Sequence, residues 1–256
     1  MYVKRWLEMK IEKSDGTQYD RGGKGTPQGG VISPLLANLF LHFALDQWLT
    51  QQYPTIRFVR YADDVVLHCT SKEMAEEVLV AVERRLEQIK LQLNKEKTKI
   101  VYCKDYRRRE EHKHVQFGFL GFSFQPRQAQ SQQKAGTSFT AFTAEISGEN
   151  QLKIRTAIRE EINWRNTTQE LHEIADKINA RVRGWINYFG IYGKRRLRHT
   201  MIYLDMQLIK WLQRKHKTGL RAALRLLATL QVKYPHLFYH WQKRYCVNVN
   251  KITRAV

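Results

Sequence analysis

Apolar positions recur along this chain with two periods, and the change from one to the other predicts its elements. In FVRYADDVVLHC (58–69), apolar runs before and after a polar pair read as two short strands joined at a tight turn. Upstream, from Ser33-Pro34, the residues Leu35, Leu36, Leu39, Phe43 and Trp48 fall on one face of a helix that ends before Pro54. Residues 1–9 predict a helix, and 10–21 a hairpin around Asp15-Gly16. A glycine-rich loop, GGKGTPQGG (22–30), follows that hairpin. Residues 71–92 open on a capping-box-like Ser-Lys-Glu-Met stretch and continue as an amphipathic helix. KIVYC (99–103) and VQFGFLGFSF (115–124) predict strands on either side of a charged loop.

The pattern changes at QPRQAQSQQKAGTS (125–138), where Gln, Ser, Pro and Gly concentrate and a linker is expected. After a strand-like piece at 139–146 the period is helical to the end, over 151–163, 168–190, 200–216, 218–232 and 235–244. The expected class is α+β. A mixed α/β domain occupies 1–125, a polar linker and short strand 126–148, and an all-helical domain 149–256.

Charge separates the two parts more sharply than periodicity does. The net charge of +20 points to a polyanionic partner, most often nucleic acid. Residues 1–150 carry 22 Lys/Arg against 18 Asp/Glu, a balance of +4, whereas 151–256 carry 22 against 6, a balance of +16. The helical part is therefore the electrostatic footprint. The start, MYVKRWLEMKIEKSDG, has charges throughout, so no secretory signal is expected. No apolar run approaches the roughly 18–20 residues of a membrane span, and a bacterial-type cytoplasmic location without a membrane partner is expected, nucleoid association being one option. Cys69, Cys103 and Cys246 lie too far apart for a disulfide framework or a zinc spacing and read as reduced thiols. His112 and His114 make a poor metal site without partners.

Asp63 and Asp64 carry the candidate chemistry. Adjacent carboxylates on a tight turn repel each other, and a purely structural turn would use Asn-Gly or Asp-Gly. Side by side at a strand end, they suit a hard divalent cation such as Mg²⁺. A solvated turn is the alternative, and the pair alone does not decide between them. Glycines in the 25–30 loop let the backbone approach a ligand closely, and Pro27 stiffens it. In LQLNKEKTKI (91–100), Lys95, Lys97 and Lys99 taken alone read as a solvated charge run.

The tetrad Tyr61-Ala62-Asp63-Asp64, flanked by apolar strands, resembles the catalytic hairpin of reverse transcriptases. GTPQGGVISPLLANLFLHFALD (25–46) resembles the segment before that hairpin in the group II intron branch of the family. LQLNKEKTKI resembles the next block, and FGFLGF (117–122) the primer-grip region. Beyond the linker, RVRGWINYFGIYGK (181–194) resembles the maturase-specific region of group II intron proteins. Blocks in this order cover nearly the whole chain.

The resemblance implies a partial right-hand polymerase palm followed by a basic thumb and maturase domain. It implies an RNA-directed DNA polymerase that also assists splicing, with intron RNA, an RNA template with a DNA primer, and dNTPs as partners. Asp63 and Asp64 would bind metal, two Mg²⁺ ions being expected in the complete site. Lys97 would give a proton to departing pyrophosphate. Tyr61, Ala62, Thr26, Pro27, Gln28 and Gly29 would contact nucleotide or template, and Phe119, Leu120 and Gly121 would form the primer grip. Arg181, Arg183, Lys194, Arg195, Arg196 and Arg198, interleaved with Tyr188 and Tyr192, would bind RNA through phosphate contacts and stacking, while Trp185, at helical spacing with Ile186 and Phe189, reads as core.

The family's metal site takes a further aspartate from a block that would precede residue 1. Asp15 and Asp20 are the acids nearest to it, and neither is followed by the expected aromatic pair. The expectation is therefore a C-terminal portion of such a polymerase, needing its other half from another chain or a longer frame. The alternative is an inactive remnant that only binds intron RNA.

Overall fold

The computed structural model describes residues 2–12, 14–20, 22, 25–26, 29–108, 110–130, 137–163 and 165–247. It divides into two units, residues 1–100 and 101–256. All strand pairings among the described residues are antiparallel.

In the first unit, α1 (Tyr2–Glu8) precedes a small hairpin of β1 (Ile11–Glu12) and β2 (Gln18–Tyr19). The long helix expected from Ser33 forms in three pieces. These are α2 (Ser33–Leu41), a π-helical turn over His42–Asp46, and α3 (Gln47–Gln52). Pro34 sits in the first turn, where its missing N–H costs nothing. The hairpin β3 (Arg57–Tyr61) and β4 (Asp64–His68) follows, then α4 (Lys72–Gln88). Ser71 caps α4 by accepting from the Met74 N–H at 3.2 Å.

The core of this unit comprises Leu45, Leu49, Ile56, Val78 and Val82, with Trp48, Phe58, Val65 and Leu67 packed against it. The apolar stripe expected on α2 is not its buried face. Leu35 is 63% and Phe43 58% exposed, and Leu39 is exposed as well. The buried apolar face begins at Ala44 and Leu45, inside the π turn, and continues at Leu49.

In the second unit, β5 (Phe117–Phe119), β6 (Phe122–Gln130) and β7 (Ser138–Ile146) form one sheet in that order. The β6–β7 register runs from Phe122↔Ile146 to Gln130↔Ser138. The polar stretch expected as a linker thus contributes residues 125–130 to a strand, and 131–136 lie outside the described residues. Residues 99–103, for which a strand is expected, form none; a single ladder-like bond runs there, from the Tyr102 N–H to the His114 carbonyl, among the described residues.

Among the described residues five helices complete the unit: α5 (Gly148–Glu161), α6 (Leu171–Phe189), α7 (Lys194–Lys215), α8 (Leu220–Lys233) and the short α9 (Tyr239–Gln242). Helix α7 packs against α5, α6, α8 and β7. Its Leu197, Met201, Leu204 and Leu208 meet Ile174, Ile178, Val182 and Ile186 of α6 in one core. The α7 set recurs at three- and four-residue spacing and the α6 set at four, which places each on one helix face.

Candidate active site

The β3–β4 hairpin closes on a two-residue turn, Ala62-Asp63, with Tyr61 paired to Asp64. Side chains alternate along β3, so Phe58 and Arg60 share the face turned to the core, while Val59 and Tyr61 are exposed. Ala62 has φ +53°, a left-handed conformation that an L-residue adopts only at a cost.

Arg60 is the organising residue beneath the turn. Its Nε and Nη2 donate to Asp46 Oδ1 and Oδ2 at 2.7 and 2.6 Å, a two-pronged pair. Its Nη1 donates to Asn38 Oδ1 at 2.8 Å and to the Ala62 carbonyl at 2.9 Å. The hydrogen bond to Asp46 raises the Arg60 guanidinium above its already high ordinary pKa. One side chain thereby ties the hairpin turn to both α2 and the π turn.

Asp63 and Asp64 are exposed, and neither forms an ion pair or side-chain hydrogen bond among the described residues. No group of three or more His, Cys, Asp or Glu side chains gathers among those residues. The donor set is therefore two free carboxylates. Mg²⁺ is often held by one or two carboxylates with water and phosphate oxygens completing its shell, and Asp63 and Asp64 are the residues that could hold it. Asp15 and Asp20 are engaged in local turns. Asp15 accepts from the Thr17 hydroxyl at 2.6 Å and N–H at 2.9 Å, which lowers its pKa, and Asp20 accepts from the Gly22 N–H at 2.9 Å.

Thr26 is half-buried between Gly25 and Gly29, both at positive φ, while Pro27 and Gln28 lie outside the described residues. Lys97 is exposed on a turn in which its backbone N–H meets Asn94. Its ammonium makes no ion pair among the described residues, whereas Lys95 is paired with Glu83 at 2.8 Å.

In the second unit the β5–β6 turn consists of Leu120 and Gly121, at φ +49° and +78°. Two left-handed residues suit the twist of a two-residue hairpin, but leucine is strained there. Three donors hold the turn. The Ser147 N–H and Asn150 Nδ2 reach the Gly121 carbonyl at 3.0 and 3.1 Å, and the Tyr188 hydroxyl reaches the Leu120 carbonyl at 2.9 Å.

The six candidate RNA-binding residues of α6 and α7 fall into two groups. Arg181 pairs with Glu161 at 3.0 Å, Arg183 lies over the Tyr239 ring, and Arg196 pairs with Glu145 at 3.1 Å. Glu145 is buried and also holds Arg127 at 2.9 Å. Lys194, Arg195 and Arg198 are exposed and pair with no carboxylate among the described residues. They project from the start of α7, whose N-cap Gly193 has φ +47°; a Cβ there would come within 2.7 Å of the Ala144 carbonyl. Tyr188 and Tyr192 rest against Phe122.

Arg60, Asp46, Asn38 and Asn150 do not stand out in the sequence. One signal is there to be read. Arg60 shares strand parity with Phe58, so its charge needs a partner, and Asp46 is the sole acid between residues 21 and 62.

Comparison with known proteins places these features in a class. Residues 1–124 match the family model described as Reverse transcriptase (RNA-dependent DNA polymerase), so the hairpin with its two carboxylates lies in a reverse transcriptase region. Residues 151–244 match the group II intron maturase-specific domain, and with both matches the chain belongs to the group II intron reverse transcriptase/maturase family. It is also similar to Protein YkfC of Escherichia coli (strain K12), at 31% identity over 133 residues, covering 39% of this chain. The chain spans about a third (35%) of that relative's length. No described helix is long and apolar enough to cross a membrane.

Proposed function

We propose that this chain takes part in RNA-directed DNA synthesis, with Asp63 and Asp64 as carboxylate ligands of Mg²⁺ on a palm surface. The observation that carries the reading is the pair of exposed, unpartnered carboxylates at the tip of a hairpin whose turn is held from below. Bound Mg²⁺ supplies charge neutralisation and lowers the pKa of an attacking hydroxyl. In the reaction a primer 3′-oxygen bonds to the α-phosphorus of a dNTP as the bond to pyrophosphate breaks. Lys97 gives the departing pyrophosphate its proton. Tyr61, Ala62, Thr26 and Gly29 would contact the nucleotide or the template, as would Pro27 and Gln28, which lie outside the described residues. Phe119, Leu120 and Gly121 bear on the primer. Asp15 and Asp20, engaged in local turns, are not assigned to a second ion.

The basic helical region holds RNA through Lys194, Arg195 and Arg198, with intron RNA as the maturase substrate. Support comes from the family match and from the +16 balance of residues 151–256.

The test is primer extension on an RNA template by the polymerase that carries these residues, with and without Mg²⁺. Asp63→Asn abolishes extension and leaves RNA binding intact if the reading holds. Extension that survives the substitution overturns it. RNA binding with no extension by the unsubstituted protein favours a splicing role without polymerisation.

A further inference from the structure

We propose that Arg60, oriented by Asp46, is a positioning residue that sets the direction of the Asp63 and Asp64 carboxylates by fixing the turn between the strands. The inference rests on the reading of those carboxylates as metal ligands.

An ion pair that only joined β3 to the helical segment would be complete with Asp46. The Arg60 side chain is 10% exposed and the Asp46 side chain 17%, and their two-pronged contact uses Nε and Nη2. Nη1 is left over, and it donates to the carbonyl of Ala62, the residue immediately before Asp63. That carbonyl belongs to the peptide whose nitrogen is Asp63's. Holding it fixes ψ of Ala62, and with it the plane from which the Asp63 side chain departs. Ala62 is at φ +53°, so its preferred conformation lies elsewhere and the turn needs an external hold.

Asn38 Oδ1 accepts from the same Nη1 at 2.8 Å, and Asp46 Oδ2 is 3.5 Å from His42 Nδ1. The guanidinium is thus held on the α2 side before it reaches the turn. The guanidinium's charge is already matched by Asp46, so what it gives the turn is a hydrogen bond. A lysine keeps that charge but has no planar fork, so it cannot grip both Asp46 oxygens and reach the Ala62 carbonyl together.

Outer-shell partners of metal ligands change affinity by about 10- to 100-fold when removed. The experiment titrates Mn²⁺, followed by electron paramagnetic resonance, into the 256-residue chain and into Asp63→Asn, Arg60→Lys and Arg60→Gln. Amide exchange is measured in the 60–66 peptide and in α4, the latter reporting on the fold. The expected result is loss of the Mn²⁺ site in Asp63→Asn. Both Arg60 variants bind about 10-fold or more weakly, with faster exchange at 60–66 and unchanged exchange in α4. Should Arg60→Gln fail to fold, Arg60→Lys, which keeps the charge, carries the test. If Asp63→Asn loses the site while both Arg60 variants bind as the unsubstituted chain does, the positioning role is overturned and the metal reading stands. If Asp63→Asn binds Mn²⁺ undiminished, the metal reading itself falls and takes the inference with it.

Discussion

The Tyr188 hydroxyl donates to the Leu120 carbonyl at 2.9 Å, so a helix of the maturase-specific region holds the turn of a hairpin 68 residues earlier in the chain. The turn lies near the end of the reverse transcriptase match, and its leucine is in a left-handed conformation. Tyr188→Phe keeps the ring against Phe122 and removes only the hydrogen bond. We expect a loss of about 1 kcal/mol in unfolding free energy. Amide exchange at 119–122 should be faster, and unchanged exchange there would show that Ser147 and Asn150 hold the turn unaided.

Asp205 is fully buried on α7 and accepts three hydrogen bonds. They come from His240 Nε2 at 2.9 Å, Trp241 Nε1 at 2.8 Å and the Val247 N–H at 2.7 Å. It anchors the segment after α8 to the central helix. Asp205→Ala strands three buried donors and should destabilise the fold by about 3 kcal/mol or more. Denaturant unfolding followed by Trp241 fluorescence checks this. Asp205→Asn, which keeps an acceptor oxygen, should lose less.

For RNA, the divided basic set makes a distinction that composition does not. Each phosphate that a cation neutralises adds about 0.7–0.9 to the slope of log affinity against log salt. Replacing Lys194, Arg195 and Arg198 together by Gln should therefore lower that slope by about 2–3. Arg196→Gln should act mainly on stability, because it removes a partner of the buried Glu145. Equal slopes for both variants would mean that the Glu145 pairing does not withhold Arg196 from RNA.

Acid should weaken the fold through helix-start carboxylates. Glu73, Glu149 and Glu170 are each held below the ordinary 4.5, by hydrogen bonds to the Glu73 backbone N–H, to Lys153 and to Lys215 respectively. A depressed folded-state pKa adds stability that is full above the unfolded value and is lost as pH falls through the folded one. Melting temperature should therefore fall below about pH 4.5 more steeply than in the triple Gln variant.

Much of this is legible in the sequence because it is local. The YADD hairpin, the Ser71 cap and the α6 stripe of Ile174, Ile178, Val182 and Ile186 follow from spacing and cap chemistry within a few residues. The Leu35, Leu39 and Phe43 stripe shows where such reasoning ends. A regular period assumes an unbroken helix with a partner on its apolar face, and nothing in the local pattern marks the π turn at His42–Asp46 or the exposure of that face.

By itself the sequence determined the hairpin that carries Asp63 and Asp64, the run of helices that follows residue 146, and the separation of charge between residues 1–150 and 151–256. These depend on neighbours along the chain and on bulk charge. The tertiary structure decided which charges remain free. Arg60 meets Asp46, Arg196 meets Glu145 and Tyr188 meets Leu120 across 14, 51 and 68 residues. The physical reason is that a side chain's partner depends on which faces pack together. Asp63, Asp64, Lys194, Arg195 and Arg198 stay open to ligands because no oppositely charged group among the described residues is folded onto them.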